Sequence, residues 1–268
     1  MRIRATAVAG RFYSDEQDTL NEHIRALLSD SQYQSSEPLS SRIEGVRGLI
    51  VPHAGYVYSG RVAGVAYRLL KPLAESIKRV ILVGPSHRVR FDGVAIPTCM
   101  QFATPLGLVD LDSNALAHLA QSPKVIRSND AHAQEHSLEV QLPFLQECLN
   151  EFRLVPMVTC ITDYQTVADL IAPIWDTQTL LVISTDLSHF HSYEQCQALD
   201  ASTCGKIESL QSKITPHEAC GSMALNAALH LITQNRYKLE PLMRTNSGDT
   251  KFGDKNRVVG YASYAICQ

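Results

Sequence analysis

The sequence predicts an α/β protein in which a mixed, mainly parallel central sheet lies between two layers of helices. Continuous Val, Ile and Leu runs occur at three places, within residues 48–53, 80–87 and 180–189. Such runs suit parallel strands that are covered on both faces, whereas a half-exposed strand would alternate. Helix-like patterns alternate with these runs, and no repeat or compositional boundary divides the chain. We therefore expect a single three-layer domain over residues 1–268.

The first predicted elements follow from capping and spacing. A helix is expected to begin near Ser14 or Asp15, since both are suitable N-cap residues. Its apolar face would be formed by Leu20, Ile24, Leu27 and Leu28. Residues 29–41 are polar and predict a surface loop. A helix of small residues over 59–70 is then expected to be stopped by Pro72.

The remaining elements alternate between strand and helix patterns. The predicted strands are residues 79–84, 93–96, 153–158, 179–184, 237–243 and 258–266. The predicted helices are residues 113–121, 134–150, 164–171, 193–210 and 216–233. Asp112 or Ser113 would cap the first of these helices. The helix over 134–150 would bury Leu138, Leu142, Leu145 and Leu149 on one face.

Composition limits the classes of function. Hydrophobic residues make up 45% and charged residues 19% of the chain, which is ordinary for a globular core of this size. The net charge of −3 argues against a general nucleic-acid or anionic-membrane binder, and no apolar run is long enough to span a bilayer. The first residues lack the apolar core of a signal peptide, and the seven cysteines include no CxxC pair. We expect a cytoplasmic protein with reduced thiols.

Each of the three apolar runs leads into a loop histidine, and these are His53, His87 and His189. In open α/β sheets, ligands bind outside the carboxyl ends of the strands, so the three side chains should meet at one edge. Imidazole is a common metal ligand and proton-transfer group. The repeated arrangement favours a functional site over three histidines that merely hydrogen-bond their own loops.

Four further residues are candidates for the same site. Asp186 precedes His189 by three residues and could orient it, support a cation indirectly, or simply cap a helix. Glu135 and His136 open the predicted helix over 134–150, where the helix dipole alone would explain a carboxylate, so their role stays open. Cys220 lies near the start of another helix, which favours a thiolate, although the pattern alone favours a buried packing residue.

Several ordered blocks resemble the Memo family, whose prokaryotic members are known as AmmeMemoRadiSam system protein B. The blocks are AVAGRFY (7–13), VPHAGYVYSG (51–60), GPSH (84–87), EHSLEVQLPF (135–144), STDLSHF (184–190) and CG (220–221). They extend nearly from end to end of the chain. The resemblance implies a fold similar to that of the LigB-like class III extradiol dioxygenases, which hold a non-haem iron with two histidines and a glutamate.

The resemblance also implies a set of metal ligands. His53 and His87 match the two family histidines at the metal, and Cys220 matches the position where Memo proteins have a cysteine in place of the carboxylate. A thiolate makes the site softer than a set of two histidines and one carboxylate. We therefore expect a divalent or redox-active metal, with iron(II) first and copper or zinc as alternatives.

The implied catalytic group lies beside these ligands. His189 matches the acid/base histidine of the dioxygenases, with Asp186 next to it, and we add His136 and Glu135 as candidates. The expected function is a dioxygenase-type oxidoreductase that acts on an unknown small molecule. The alternatives are a non-catalytic scaffold that binds a ligand or peptide, and a metal-dependent hydrolase. The resemblance further implies radical SAM and AMMECR1-like partner proteins, whereas nucleic acid and membrane are not expected as partners.

Overall fold

The structure of the protein is a computed structural model, and it describes residues 3–29 and 45–268. The predicted surface loop over 29–41 lies outside these ranges except for Ser29, which ends a helix. Within the described residues, each helix is too short or too polar to cross a membrane.

The strands form one large and one small sheet. In chain order they are β1 (Ile3–Arg4), β2 (Val46–Val51), β3 (Arg79–Pro85), β4 (Val94–Ile96), β5 (Gln101–Thr104), β6 (Gly107–Asp110), β7 (Val125–Arg127), β8 (Arg153–Thr159), β9 (Thr179–Ser184), β10 (His189–His191), β11 (Lys238–Asn246) and β12 (Val258–Cys267). The large sheet has the order β10-β12-β2-β9-β3-β8-β4-β7, with β11 also paired to β12. The small sheet has the order β1-β5-β6.

The sheet is mixed, as predicted, but it is parallel mainly at its centre. Strands β2, β9, β3 and β8 are parallel neighbours, and β4 is parallel to β7. The antiparallel pairs are β10–β12, β11–β12, β12–β2 and β4–β8. In the three central runs, Leu49–Val51, Val80–Val83 and Leu180–Ile183 are at most 1% exposed. Complete burial explains why these strands are apolar without alternation.

Helices flank the sheets. In chain order they are α1 (Gln17–Ser29), α2 (Tyr56–Tyr67), α3 (Ser113–Leu119), α4 (Asp130–Ala133), α5 (Leu142–Cys148), α6 (Tyr164–Ile171), α7 (Tyr193–Glu208) and α8 (Ser222–Asn235). Helices α1, α2 and α5 pack together, and α6 packs on α8. Gly64 permits the close approach of α1 and α2, because a Cβ there would lie 2.5 Å from the carbonyl oxygen of Leu27.

The predicted helix over 134–150 is wrong in its first half. Only Leu142–Cys148 is α-helical, after a 3₁₀ turn over Glu139–Gln141. The carboxylate of Glu135 accepts the backbone N–H groups of His87 (2.6 Å) and Ser137 (2.9 Å), and the carbonyl of Ser137 accepts the Ser184 hydroxyl (2.5 Å), so the backbone groups of Ser137 do not form helical hydrogen bonds. Pro143, in the first turn of α5, suits a helix start because it lacks an N–H donor.

The predicted helix over 216–233 begins six residues later than expected. Helix α8 starts at Ser222, so Cys220 lies in the turn that precedes it. The N–H of Cys220 donates to the carbonyl oxygen of Asp186 at 3.3 Å, and that of Gly221 donates to Thr185 Oγ1 at 2.9 Å. These contacts bind the turn to the end of β9, which a helix over the same residues would not allow.

The buried carboxylate of Glu139 anchors the amino-terminal segment. It is 0% exposed and forms an ion pair with Arg4. It also accepts the backbone N–H groups of Ala7 (2.7 Å) and Val8 (3.0 Å) and the hydroxyl of Tyr13 (2.6 Å). A buried charge is tolerated only where such donors replace water, so this contact fixes the segment against α5.

Replacing Glu139 should therefore destabilise the fold strongly. In Glu139→Ala the guanidinium of Arg4 stays buried without its partner, and we expect the free energy of unfolding to fall by about 3–5 kcal/mol. Urea denaturation of both proteins measures this difference. The control is Arg25→Ala, which removes the ion pair between an exposed Arg25 and Glu147 and should change stability little. Equal effects of the two variants would contradict the anchoring role.

A second stability effect should depend on pH through His132. Burial lowers the pKa of this histidine from 6.5 to about 4, while its Nε2 bonds the carbonyl oxygen of Ala95 at 3.1 Å. The unfolded chain takes up a proton below about 6.5 and the folded chain only below about 4, so His132 makes the folded state less stable as pH falls through this window.

The variant His132→Gln keeps a donor for the carbonyl of Ala95 and removes the titration. Between pH 6.5 and 4 its unfolding free energy should fall less steeply than that of the wild type, by up to roughly 3 kcal/mol over the window. Denaturation midpoints at several pH values measure this slope. His217→Gln, at an exposed position, is the control and should keep the wild-type slope. Parallel slopes for wild type and His132→Gln would refute the assignment.

Candidate metal site

Three histidines meet at the carboxyl edge of the central strands. His53 follows β2, His87 follows β3, and His136 comes from the irregular segment before α5. Their ring centroids lie 5.2 Å (His53–His87), 5.4 Å (His53–His136) and 4.5 Å (His87–His136) apart. One nitrogen from each ring can be chosen so that the three atoms lie within 4.8 Å of one another. This group could hold a metal ion.

The hydrogen bonds of Ser184 determine which nitrogen of His53 is free. The Ser184 hydroxyl donates to the carbonyl oxygen of Ser137 at 2.5 Å and accepts from Gln141 Nε2 at 2.8 Å. Because its single proton is used, it can only accept from His53 Nδ1, which lies 2.9 Å away. His53 therefore carries its proton on Nδ1 and keeps a lone pair on Nε2.

Glu135 orients the ring of His87 in a similar way. Burial alone would raise the pKa of the Glu135 carboxyl, but hydrogen bonds from His87 and Ser137 lower it to about 2. The resulting carboxylate accepts His87 Nδ1–H at 2.9 Å as well as the backbone N–H of His87. Nε2 of His87 is then the nitrogen left for a ligand, as in metal sites where a carboxylate orients the ligand histidine.

His136 has a free nitrogen as well. Its Nδ1 lies 3.3 Å from a carboxylate oxygen of Glu135, but it is buried and has no hydrogen-bond partner among the described residues. Burial, together with His53 and His87, lowers the pKa of His136 to about 4, and burial also holds the pKa of His53 well below its usual range. Neutral imidazole is the form that binds metal, so these two rings suit a cation.

Cys220 lies beside this histidine group without being a member of it. Its Sγ is 3.3 Å from His53 Nε2 and also accepts the backbone N–H of Asp186 at 3.3 Å. Sulfur and nitrogen ligands on one tetrahedral zinc ion would be about 3.5 Å apart, so the spacing to His53 suits a shared metal. Burial and the nearby Asp186 raise the pKa of the Cys220 thiol to about 12. A bound metal would be needed to deprotonate it at neutral pH.

Asp186 and His189 follow the same strand but have different partners. The buried Asp186 carboxylate accepts the backbone N–H of His53 at 2.7 Å, and burial raises its pKa. His189 Nδ1 lies 2.8 Å from the carbonyl oxygen of Leu187, which can only accept, so Nδ1 donates there. The carbonyl of Leu187 thus orients His189, whereas the carboxylate of Asp186 fixes the loop of His53.

All seven residues predicted for the site lie in these loops, and the ligand set and catalytic roles remain predictions. Sequence reasoning missed the supporting Ser184, Ser137 and Gln141. Ser184 did leave a signal, since it is a polar residue that ends an otherwise apolar strand within STDLSHF. Gln141 also bonds the carbonyl of Pro52 at 2.9 Å, and it lies in the EHSLEVQ block.

Comparison with known proteins identifies the family. The family model for Memo-like proteins matches residues 4–265. The chain belongs to the Memo family. Among curated relatives, each described as a MEMO1 family protein, the one from Nitrosopumilus maritimus is 32% identical over 97% of this chain and 98% of the relative. Those from Aquifex aeolicus and Archaeoglobus fulgidus are 30% and 31% identical over the same shares. The predicted Memo resemblance is confirmed.

The tautomer of His53 in this Memo family protein can be tested directly. Ser184→Ala removes the acceptor of the Nδ1 proton, so the Nδ1–H form of His53 should lose its preference. Nitrogen NMR of the histidine-labelled protein reports the two tautomers. Ser263→Ala is a matched control, because the Ser263 hydroxyl is also buried in the sheet but has no hydrogen-bond partner among the described residues. An unchanged His53 signal in Ser184→Ala would disprove the assignment.

Proposed function

We propose that this Memo family protein binds a redox-active divalent metal, iron(II), and uses it in oxidoreductase chemistry on a small organic molecule. The ligands in this proposal are His53, His87 and Cys220, with His136 adjacent. The observation that carries the proposal is that the rings of His53, His87 and His136 converge, while Nδ1 of His53 bonds Ser184 and Nδ1 of His87 bonds Glu135, so that Nε2 of each of these two rings is the nitrogen left for a ligand. Ligand nitrogens that converge on one point are what a cation requires.

The choice of metal follows from the donor chemistry. Imidazole and thiolate are borderline or soft ligands, which favour iron, copper or zinc over magnesium or calcium. When bound, iron(II) would supply a Lewis-acid centre with open positions for dioxygen or substrate. We also propose that the fold is of the LigB-like class III extradiol dioxygenase type. A mixed sheet with its candidate site at the carboxyl edge of the central strands supports this.

The residues around the metal would divide the remaining tasks. Glu135 holds the ring of His87, and Asp186 holds the loop of His53 through its backbone N–H. His189 is half-buried and, when neutral, carries a lone pair on Nε2, so it can take a proton from a bound molecule and return it. In this scheme His189 is the acid/base group, and Glu135 and Asp186 act through the histidines they contact.

Two other functions use the same residues. A metal-dependent hydrolase would bind zinc at the same donors and use His189 as the base for water. A scaffold would use the site only to bind a ligand or peptide, without a metal. Association with radical SAM and AMMECR1-like proteins, and a cytoplasmic location, remain predictions from the family resemblance and the sequence.

The test is the metal content of the protein purified anaerobically without added metals. We expect about one iron ion per chain by elemental analysis, lost in His53→Ala and in His87→Ala. His118→Ala, at an exposed position on α3, is the control and should retain the metal. Protein without metal would overturn the proposal in favour of a scaffold, and zinc with hydrolytic turnover would overturn it in favour of a hydrolase.

The third ligand can be identified in the cobalt(II)-substituted protein. If Cys220 binds the metal, the wild type shows a thiolate-to-cobalt charge-transfer band that Cys220→Ser removes and His136→Gln retains. If the band is missing from the wild type and His136→Gln loses the metal, the ligand set is His53, His87 and His136. That result would contradict the assignment of Cys220 without affecting the two other histidines.

A further inference from the structure

A buried carboxylate on α7 lies behind the loop that carries His189. Asp200 is 3% exposed, and its Oδ1 accepts the backbone N–H of Ser188 at 3.1 Å. Its Oδ2 accepts the thiol of Cys196 at 3.0 Å. Removing a carboxylate from water costs several kcal/mol, and two donors offset that cost only in part. Packing alone therefore gives no reason for an acid at this position.

Strand β12 is shaped to admit this carboxylate. A Cβ at Gly260 would lie 1.7 Å from Asp200 Oδ2, so no other residue fits there without displacing the acid. The backbone of Gly260 also holds the loop, since its carbonyl accepts Leu187 N–H and its N–H donates to the Ser188 carbonyl, both at 2.9 Å. The loop is thus held both by β12 and by Asp200.

The contact with Ser188 reaches His189 through one peptide plane. The N–H of Ser188 and the carbonyl of Leu187 belong to the same planar peptide group. Asp200 fixes the N–H end of this plane at 3.1 Å, and the carbonyl end accepts His189 Nδ1 at 2.8 Å. Rotation of the plane would move the acceptor away from the ring. The acid therefore determines the direction in which the imidazole is held.

Backbone strain next to His189 shows that the chain is tightly held here. Phe190 has φ +64°, in the left-handed region that a bulky side chain occupies at a cost of roughly 1–2 kcal/mol. Among the described residues, the other non-glycine positions with positive φ are Leu210 and Arg236, and both lie at helix C-termini where this conformation is common. Phe190 lies where the register of β10 against β12 shifts between His189 and His191, as in a β-bulge. Such strain persists only where the surroundings fix the chain, and here the pairing with β12 does so.

We propose that Asp200 is a positioning residue for His189. It acts through the Leu187–Ser188 peptide, and it keeps His189 in the Nδ1–H form with Nε2 free to handle a proton. The importance of this role rests on the proposed function, in which His189 is the acid/base group. The positioning itself is a property of the protein alone and is measurable without metal or substrate.

The test follows the ring of His189 by nitrogen NMR in the full-length, histidine-labelled protein, with His189→Gln identifying its signals. Asp200→Ala removes both hydrogen bonds, and Asp200→Leu removes them while filling the space. Both should lose the preference for the Nδ1–H tautomer. Asp200→Asn should restore it, because its amide oxygen can accept Ser188 N–H while its NH₂ donates to Cys196 Sγ.

The matched control is Asn226→Ala on α8. Asn226 is also buried and clamps a loop by bonding both the N–H (2.9 Å) and the carbonyl (2.8 Å) of Ile214. It should lower stability without changing the His189 signals. Wild-type signals in Asp200→Ala and Asp200→Leu, or an equal change in Asn226→Ala, would overturn the proposal. Iron content is measured on the same samples, so a metal-free wild type would reject the proposed function and leave this inference standing.

Discussion

The irregular segment over residues 135–141 joins the ends of the three strands that form the candidate site. Its hydrogen bonds connect Glu135 to His87 after β3, Ser137 to Ser184 at the end of β9, and Gln141 to Pro52 after β2. Ser137 makes its contact with a backbone carbonyl that a helix would bond internally, whereas Glu135 and Gln141 make theirs through their side chains. The positions of His53 and His87 relative to each other depend on these contacts.

The same segment buries two carboxylates, and each has a separate task. Glu135 faces the histidines and is compensated by three N–H donors, two of them from His87. Glu139, four residues later, faces the amino-terminal segment and is compensated by Arg4 and three further donors. Because a buried carboxylate needs hydrogen-bond donors, its contacts hold residues 7–13 against the core. Phe12 of that segment then lies with its ring centroid 4.9 Å from that of His136, so the anchor also closes one side of the site.

The strand runs and their terminal histidines could be predicted from the sequence because complete burial and the shared edge of parallel strands are local signals. Helix α6 and strand β9 also match their predicted bounds, because their sequence patterns are local as well. The helix over 134–150 could not be corrected from periodicity, since Leu138, Leu142 and Leu145 are buried whether or not the backbone is helical. The backbone conformation there is determined by the hydrogen bonds and the ion pair that the buried Glu135 and Glu139 carboxylates form with residues distant in sequence. Likewise, the His189 ring is held by the carbonyl oxygen of Leu187 and not by Asp186. The sequence does not reveal the direction in which a backbone carbonyl points.

The histidine cluster offers donors that a metal ion could use. Within the described residues, the buried Nδ1 of His136 has no hydrogen-bond partner, and His53 Nε2 faces only the weak thiol donor of Cys220. An unpartnered ring nitrogen alone does not indicate a metal, since Nδ1 of the core histidine His132 is also buried without a partner among these residues. The difference is convergence, because the rings of His53, His87 and His136 offer three nitrogens within 4.8 Å of one another. A single bound cation would engage all three nitrogens at once, and this convergence is why we favour a metal at this edge of the sheet over a ligand-binding scaffold.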